Sequence, residues 1–154
     1  MSTILLSFES DWFSLLEQGE KKFEYRKHFP KGKTTVYFYV SKPVMAITGI
    51  ATFDEREELI RWKEKFKDRP VTVQERIAEM LTDCRYAVPC LTFQPTNRLS
   101  LSQLREDIDN FIVPRMYYYL DDLPLLDYLK HNLVPTGEML VHSFDCIADD
   151  DICQ

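Results

Sequence analysis

Only four glycines occur among the 154 residues. They form neither a glycine-rich phosphate loop nor a GxSxG turn, which removes the usual nucleotide-loop and serine-hydrolase machineries. No stretch approaches the roughly 18 apolar residues that suggest a membrane span. The opening "MSTILLSFESDWF" lacks the basic region and long apolar run of a secretory signal, so a cytoplasmic protein without a membrane partner is expected. The four cysteines, Cys84, Cys90, Cys146 and Cys153, include no CxxC pair and read as reduced, mostly buried thiols. His142 and Cys146 on one strand would stand roughly 13 Å apart, too far for joint metal ligation. No metal and no cofactor is expected. His131, near a helix end, is explained by the helix terminus. There is no internal repeat and no low-complexity linker, which argues against solenoids and multi-domain strings.

What the chain does contain is core-forming material: 45% hydrophobic and 13% aromatic residues, enough for one compact domain over residues 1–154. "TILLSF" reads as a first strand. "SDWFSLLEQG" comes next as a helix, with Ser10 as its cap, Trp12, Leu15 and Leu16 as its apolar stripe and Gly19 as its exit. "KFEYRK" and "TTVYFYVS" alternate as strands around the turn "FPKGK", and "VMAITGIATFDE" continues the pattern. Two helices are then expected, "REELIRWKEKFK" and "TVQERIAEML". The second has Thr72 and Glu75 in capping-box spacing and Val73, Ile77, Met80 and Leu81 turned inward. "RYAVPCLTFQPT" returns to strand, with Pro89 implying an edge or a bulge. "SLSQLREDIDNF" is a helix opened by Ser100 and Gln103, and Pro114 interrupts the chain beyond it. "MYYYLDDLPLLDYLKHN" reads as a turn and a short helix, and "GEMLVHSFDCI" as a closing strand before an acidic tail. The mixed order predicts a small α+β barrel-like domain rather than alternating parallel units.

Charge is the informative anomaly. The chain carries −6 overall, yet "KKFEYRKHFPKGK", residues 21–33, sets six lysines and arginines against the one Glu24, a local +5 that leaves −11 for the remainder. A concentrated cationic patch on a repelling body selects a phosphate or small anion without promoting indiscriminate nucleic-acid binding. In a strand, Glu24, Arg26 and His28 share one face while Phe23, Tyr25 and Lys27 share the other, so the apolar pair can face a core and leave the polar row free. Lys21 joins that row only because the Gly19 turn relaxes the strand's parity. Glu24 and Arg26 stand about 6.6 Å apart along the axis and can reach one small polar group, whereas His28 lies roughly 13 Å from Glu24. A Glu24–His28 ribonuclease pair is therefore disfavoured. The compact Lys21, Glu24 and Arg26 cluster is preferred, with Glu24 as base or water-orienting group and the cations stabilising developing charge.

Gly19, Lys21, Glu24 and Arg26 spell GxKxxExR, and on this motif and the strands around it residues 3–54 resemble the ASCH (activating signal cointegrator homology) domain of the PUA-like superfamily. The strand "YAVPCLTF" fits more loosely, and residues 110–154 read as a C-terminal extension. The resemblance implies a small β-barrel with flanking helices and a cleft beside the motif that engages RNA or modified nucleotides. One ASCH branch cleaves RNA and another removes the acetyl group from N4-acetylcytidine. In that amidohydrolase branch the motif reads GxKxxTxR, with lysine, threonine and a later glutamate in catalysis. Glutamate at position 24 removes the hydroxyl nucleophile that route requires.

The expected function is an RNA- or nucleotide-binding module using Lys21, Glu24 and Arg26, with Ser41 and Tyr39 completing the cleft. The alternative is a hydrolase of a modified nucleoside or an RNA phosphodiester in which Lys21, Glu24 and Arg26 are catalytic. A third reading is a protein-interaction domain. Tyr37 shares a strand face with Tyr39, and the run Tyr117, Tyr118 and Tyr119 offers either a base-stacking surface or ordinary buried aromatics. If the tail "CIADDDICQ" lies over the cationic patch, it competes there with phosphate.

Overall fold

The computed structural model describes residues 1–154. Alternating apolar residues build the long strands β1 (Ser2–Phe8), β3 (Thr34–Val40), β4 (Ala46–Phe53) and β6 (Tyr86–Gln94). With β2 (Phe23–Arg26) and β8 (Tyr117–Tyr119) they form one sheet in the order β2-β6-β4-β3-β1-β8. Short strands β5 (Glu57–Glu58) and β9 (Leu140–Val141) pair with β6, and β7 (Leu99–Ser100) pairs with β4. β1 and β3 run parallel, and every other pairing is antiparallel. The sheet curls into a half-barrel, the α+β architecture the sequence predicts.

One face of each strand fills the concave interior: Ile4, Leu6 and Phe8 of β1, Val36 and Phe38 of β3, Phe53 of β4, and Val88 and Phe93 of β6. Helix α1 (Ser10–Glu17) caps this interior with Phe13 and Leu16. Gly49, with φ +84°, sits opposite Phe38, where the β3/β4 register slips, and the Phe13 and Phe93 rings press against it. Only a residue without Cβ accepts both that backbone angle and that contact. Two outer layers cover the convex side. α4 (Leu101–Asp107) and α5 (Pro124–Asn132) pack on Leu5, Tyr37 and Tyr39. Trp62 of α2 (Trp62–Lys65) and Val73 and Ile77 of α3 (Val71–Met80) pack on Phe23, Tyr25 and Ala87.

Several local expectations are corrected. Ser10 is the first helical residue, not the cap, and Trp12 is 44% exposed while Phe13 and Leu16 are buried. "REELIRWKEKFK" does not form one helix. Glu57 and Glu58 pair with β6, a 3₁₀ turn occupies Leu59–Arg61, and only Trp62–Lys65 is α-helical. This broken path still buries Leu59, Trp62 and Phe66, the positions an amphipathic helix would have turned inward. Pro70 caps α3 two residues earlier than the Thr72 capping box requires, and its carbonyl accepts from the Val73 and Gln74 N–H groups. Ser100 does cap α4, accepting from the Gln103 N–H at 3.1 Å. Pro89 lies in an inner strand beside a bulge at Leu91, where Thr52 and Phe53 of β4 face Thr92 and Cys90. The closing strand is only the two residues of β9.

Residues 110–154 are woven through the whole fold. β8 extends the sheet, Leu125, Leu129 and Leu133 enter one outer layer, and Ile152 and Cys153 enter the other. The acidic tail is strapped to the convex face: Arg69 Nη1 meets Asp149 Oδ1 at 2.7 Å, and Arg76 donates to the Asp149 and Ile152 carbonyls. Tyr25 Oη accepts from the Cys153 N–H at 2.7 Å. Of the cationic stretch the tail's carboxylates ion-pair only with Lys22, through Asp151 at 3.5 Å. The tail is therefore a core element rather than a competitor lying over Glu24 and Arg26, because burying Ile152 outweighs any gain from pairing exposed charges. Ile152→Ala is expected to cost about 3 kcal/mol of unfolding free energy, read as a lower urea midpoint at an unchanged denaturant slope.

Candidate functional site

Strand β2 places the site by parity. Phe23 and Tyr25 point outward into the α2/α3 layer, so Glu24 and Arg26 must point inward, towards the half-barrel's interior. The polar row is thus only partly open to solvent: Glu24 is 8% exposed and, with the half-buried Arg26, borders a cavity, while His28 is exposed. β2 and the β1/β8 pair are at opposite ends of the strand order, and the half-barrel closes between them without a backbone ladder. Side chains bridge that seam instead. Arg26 Nη2 donates to the Ser7 carbonyl of β1 at 3.0 Å, its guanidinium lies 5.7 Å from the Phe8 ring centre, and Phe29 packs on Tyr117 of β8.

Glu24 is the hub of the seam. Its Oε1 accepts from the Tyr25 N–H at 2.9 Å and lies 3.6 Å from Lys21 Nζ, while its Oε2 accepts from Arg26 Nη2 at 3.2 Å. Gly19, with φ +76°, ends α1, and the Lys21 N–H reaches back to the Leu15 carbonyl. This turn lifts Lys21 out of the strand's alternation and lets it reach Glu24. The Lys21 ammonium sits between the rings of Trp12 and Tyr25, at 5.3 and 5.2 Å, and is 7% exposed. One carboxylate between two cations leaves a local surplus of one positive charge.

A cavity of about 560 Å³ opens above this hub. Ser7, Phe8 and Glu9 form one wall, Glu24 to Lys27 the other, and Trp12, Ser41, Cys84 and Arg115 complete the rim. The expected Lys21, Glu24, Arg26 and Ser41 are therefore brought together, with Lys21 beneath the floor rather than in the wall. Tyr39 is not: it is buried with Tyr37 in the α4/α5 layer, on the opposite face of β3. His28 lies beyond the end of β2, exposed. The cationic stretch is dispersed, with Lys31 bordering a separate surface hollow beside Glu55 and Arg61. Of the tyrosine run, Tyr117 packs on the interior, Tyr118 donates to the Ile112 carbonyl and Tyr119 is half exposed.

Trp12, Cys84 and Arg115 were not legible as site residues. The α1 spacing does carry a signal for Trp12, since Phe13 and Leu16 suffice for a buried stripe and leave the tryptophan outside it. Pro114, whose carbonyl accepts from Ser7 Oγ, and Met116, whose carbonyl accepts from the Ser7 N–H, tie the segment around Arg115 to β1 and bring Arg115 to the rim. Burial pushes the Cys84 thiol above its ordinary 9.0, and the Glu24 charge adds to the effect. It is therefore protonated at neutral pH and not a ready nucleophile.

Breaking the hub is expected to show in stability. Glu24→Gln leaves the Lys21 ammonium buried beside a neutral amide and should cost about 3 kcal/mol. Adding Lys21→Met should recover at least about 1 kcal/mol of that, a coupling that a urea double-mutant cycle measures directly. At neutral pH, iodoacetamide should modify exposed Cys146 well before Cys84, with Cys84 catching up only above pH 9, as monitored by mass spectrometry.

No protein-family model matches the chain, and no curated protein matches it. Solved structures do. An ASCH protein from Zymomonas mobilis superposes with a TM-score of 0.66 at 16% identity, covering 87% of this chain and 97% of that one. A tyrosine-to-phenylalanine mutant of the same protein gives 0.66 at 16% identity over 87% of this chain and all 100% of the other. A serine-to-alanine mutant gives 0.64 at 16% identity, covering 86% and 97%. The half-barrel with its flanking helices is the ASCH fold.

Proposed function

We propose that this protein binds RNA, or a nucleotide-like small molecule, in the cavity at the barrel seam. The observation that carries the reading is the pairing of an exposed indole with a cationic wall over a fixed charge hub. Trp12 stands at the rim, and Arg26, Lys27 and Arg115 share the lining with Glu9 and Glu24. In the lining three cations oppose two carboxylates, a balance that favours a phosphate-bearing ligand. The volume of about 560 Å³ lies within the range of small-ligand sites and admits a nucleotide. The flat face of Trp12 suits a base, because stacking is sequence-tolerant and worth about 1–3 kcal/mol. The ASCH fold supports the same ligand class through the resemblance of the GxKxxExR motif.

Binding is favoured over hydrolysis by what Glu24 already does. Both of its oxygens are engaged, one by the Tyr25 N–H and Lys21, the other by Arg26. With both oxygens already engaged, neither is free to orient a water or a ribose hydroxyl. Its role in this reading is to hold Arg26 across the seam and set the cavity's shape.

Trp12 is exposed while Trp62, the other tryptophan, is buried, so ligand entry should quench intrinsic fluorescence. Titration with oligouridylate and with uridine monophosphate should be saturable. Trp12→Ala should weaken binding by about tenfold, and Arg115→Ala should lower the log–log salt slope by about one unit. Affinities unmoved by both substitutions would place the ligand elsewhere. A strand break or mass change in RNA incubated with the wild type, seen by mass spectrometry, would replace the binding reading with the hydrolase.

A further inference from the structure

The β8 end of the sheet, which meets the seam where Tyr117 packs on Phe29, carries a second feature on its outer side, beside Tyr118. β8 is the terminal strand, paired only with β1 in the register Ile4↔Tyr119, Leu5↔Tyr118 and Leu6↔Tyr117. The flanking bonds run from the Ser7 N–H to the Met116 carbonyl and from the Leu120 N–H to the Thr3 carbonyl. Antiparallel alternation then turns the N–H and C=O groups of Tyr117 and Tyr119 away from β1, to the side where no further strand lies. Beside this free edge is a predominantly apolar groove of about 670 Å³, between the chain leaving α4 and the start of α5. Phe111, Ile112, Tyr118, Leu123 and Leu125 are among its walls.

Four large apolar side chains are exposed within this short span: Ile112 (67%), Met116 (50%), Tyr119 (49%) and Leu123 (42%). Scattered exposed hydrophobics need no explanation, but a cluster beside an unpaired strand edge marks a binding surface. The groove's charged rim is acidic. Asp107 and Asp109 line it and Asp122 adjoins Leu123, with no basic side chain in the walls. Asp107 already accepts from Tyr128 Oη at 2.6 Å, while Asp109 and Asp122 form no ion pair.

We propose that the β8 edge and its groove dock an extended peptide segment of a partner protein, one that alternates apolar and basic residues. The peptide's backbone continues the sheet beyond Tyr117 and Tyr119, its apolar side chains enter the groove around Ile112 and Leu123, and its cations meet Asp109 and Asp122. Strand addition of this kind takes affinity from the main chain and specificity from the alternate side chains. Charge argues against a second copy of this chain as the occupant. Two such edges would set the same carboxylates face to face on molecules that each carry −6.

The test is fluorescence anisotropy of a labelled alternating lysine–valine peptide with the full chain. Saturable binding is expected, at least about tenfold weaker when glutamate replaces lysine and when a central proline removes a strand donor. Ile112→Lys, at an exposed position that should leave folding intact, is expected to weaken the peptide by at least about tenfold and to leave uridine monophosphate binding unchanged. No saturable binding, equal binding of the proline peptide, or indifference to Ile112→Lys would overturn the proposal. A dimer in analytical ultracentrifugation that Ile112→Lys dissociates would overturn it in favour of a second copy.

Discussion

The half-barrel has a seam that no backbone ladder closes, and the Glu24 carboxylate holds the side chain that bridges it. Arg26 donates to the Ser7 carbonyl across the gap and to Glu24 Oε2 on its own strand, and Lys21 pairs with the same carboxylate. An inward-pointing glutamate would be costly alone. Two cations and a backbone N–H satisfy it, so the charge that would destabilise the interior fixes the position of the strand instead.

That arrangement links packing to function. Phe23 and Tyr25 anchor β2 to the outer layer, and the tail completes the same layer through Ile152 and the Cys153 N–H on Tyr25 Oη. With β2 fixed from outside, Glu24 and Arg26 have one way to point. The cavity above them is then a consequence of incomplete closure, walled by the two strands that do not pair. The result is a cavity with a cationic bias and one exposed indole at its rim.

The two ends of the sheet offer different chemistry. At the β2 side, the seam presents guanidinium groups, a lysine and a tryptophan beside the Glu24 hub. At the β8 side, apolar side chains and carboxylates border an unpaired edge. The −6 total therefore conceals an opposition between a cationic cavity and an acidic groove. The two surfaces therefore present charge of opposite sign.

Local sequence was enough to specify the long strands β1, β3, β4 and β6 with β2, the Gly19 exit, the Ser100 cap and the shared strand face of Glu24 and Arg26, because each depends on short-range periodicity or on one residue's backbone preference, but not β8, whose Tyr117–Tyr119 read as part of a turn. It also brought out the GxKxxExR motif, since those residues lie within a single turn and strand. It misplaced Tyr39 and Trp12 and left the position of the acidic tail open. Tyr39 alternates correctly, but which face of β3 meets the interior is decided by its partners β1 and β4. Trp12 differs from Phe13 only in which side of α1 the half-barrel occupies. Arg115 reached the rim through a contact between residues more than a hundred positions apart, Ser7 and Pro114. These placements depended on the folded sheet, because its curl chooses the inside and the open seam, and no local pattern encodes where the ends of that curl come together.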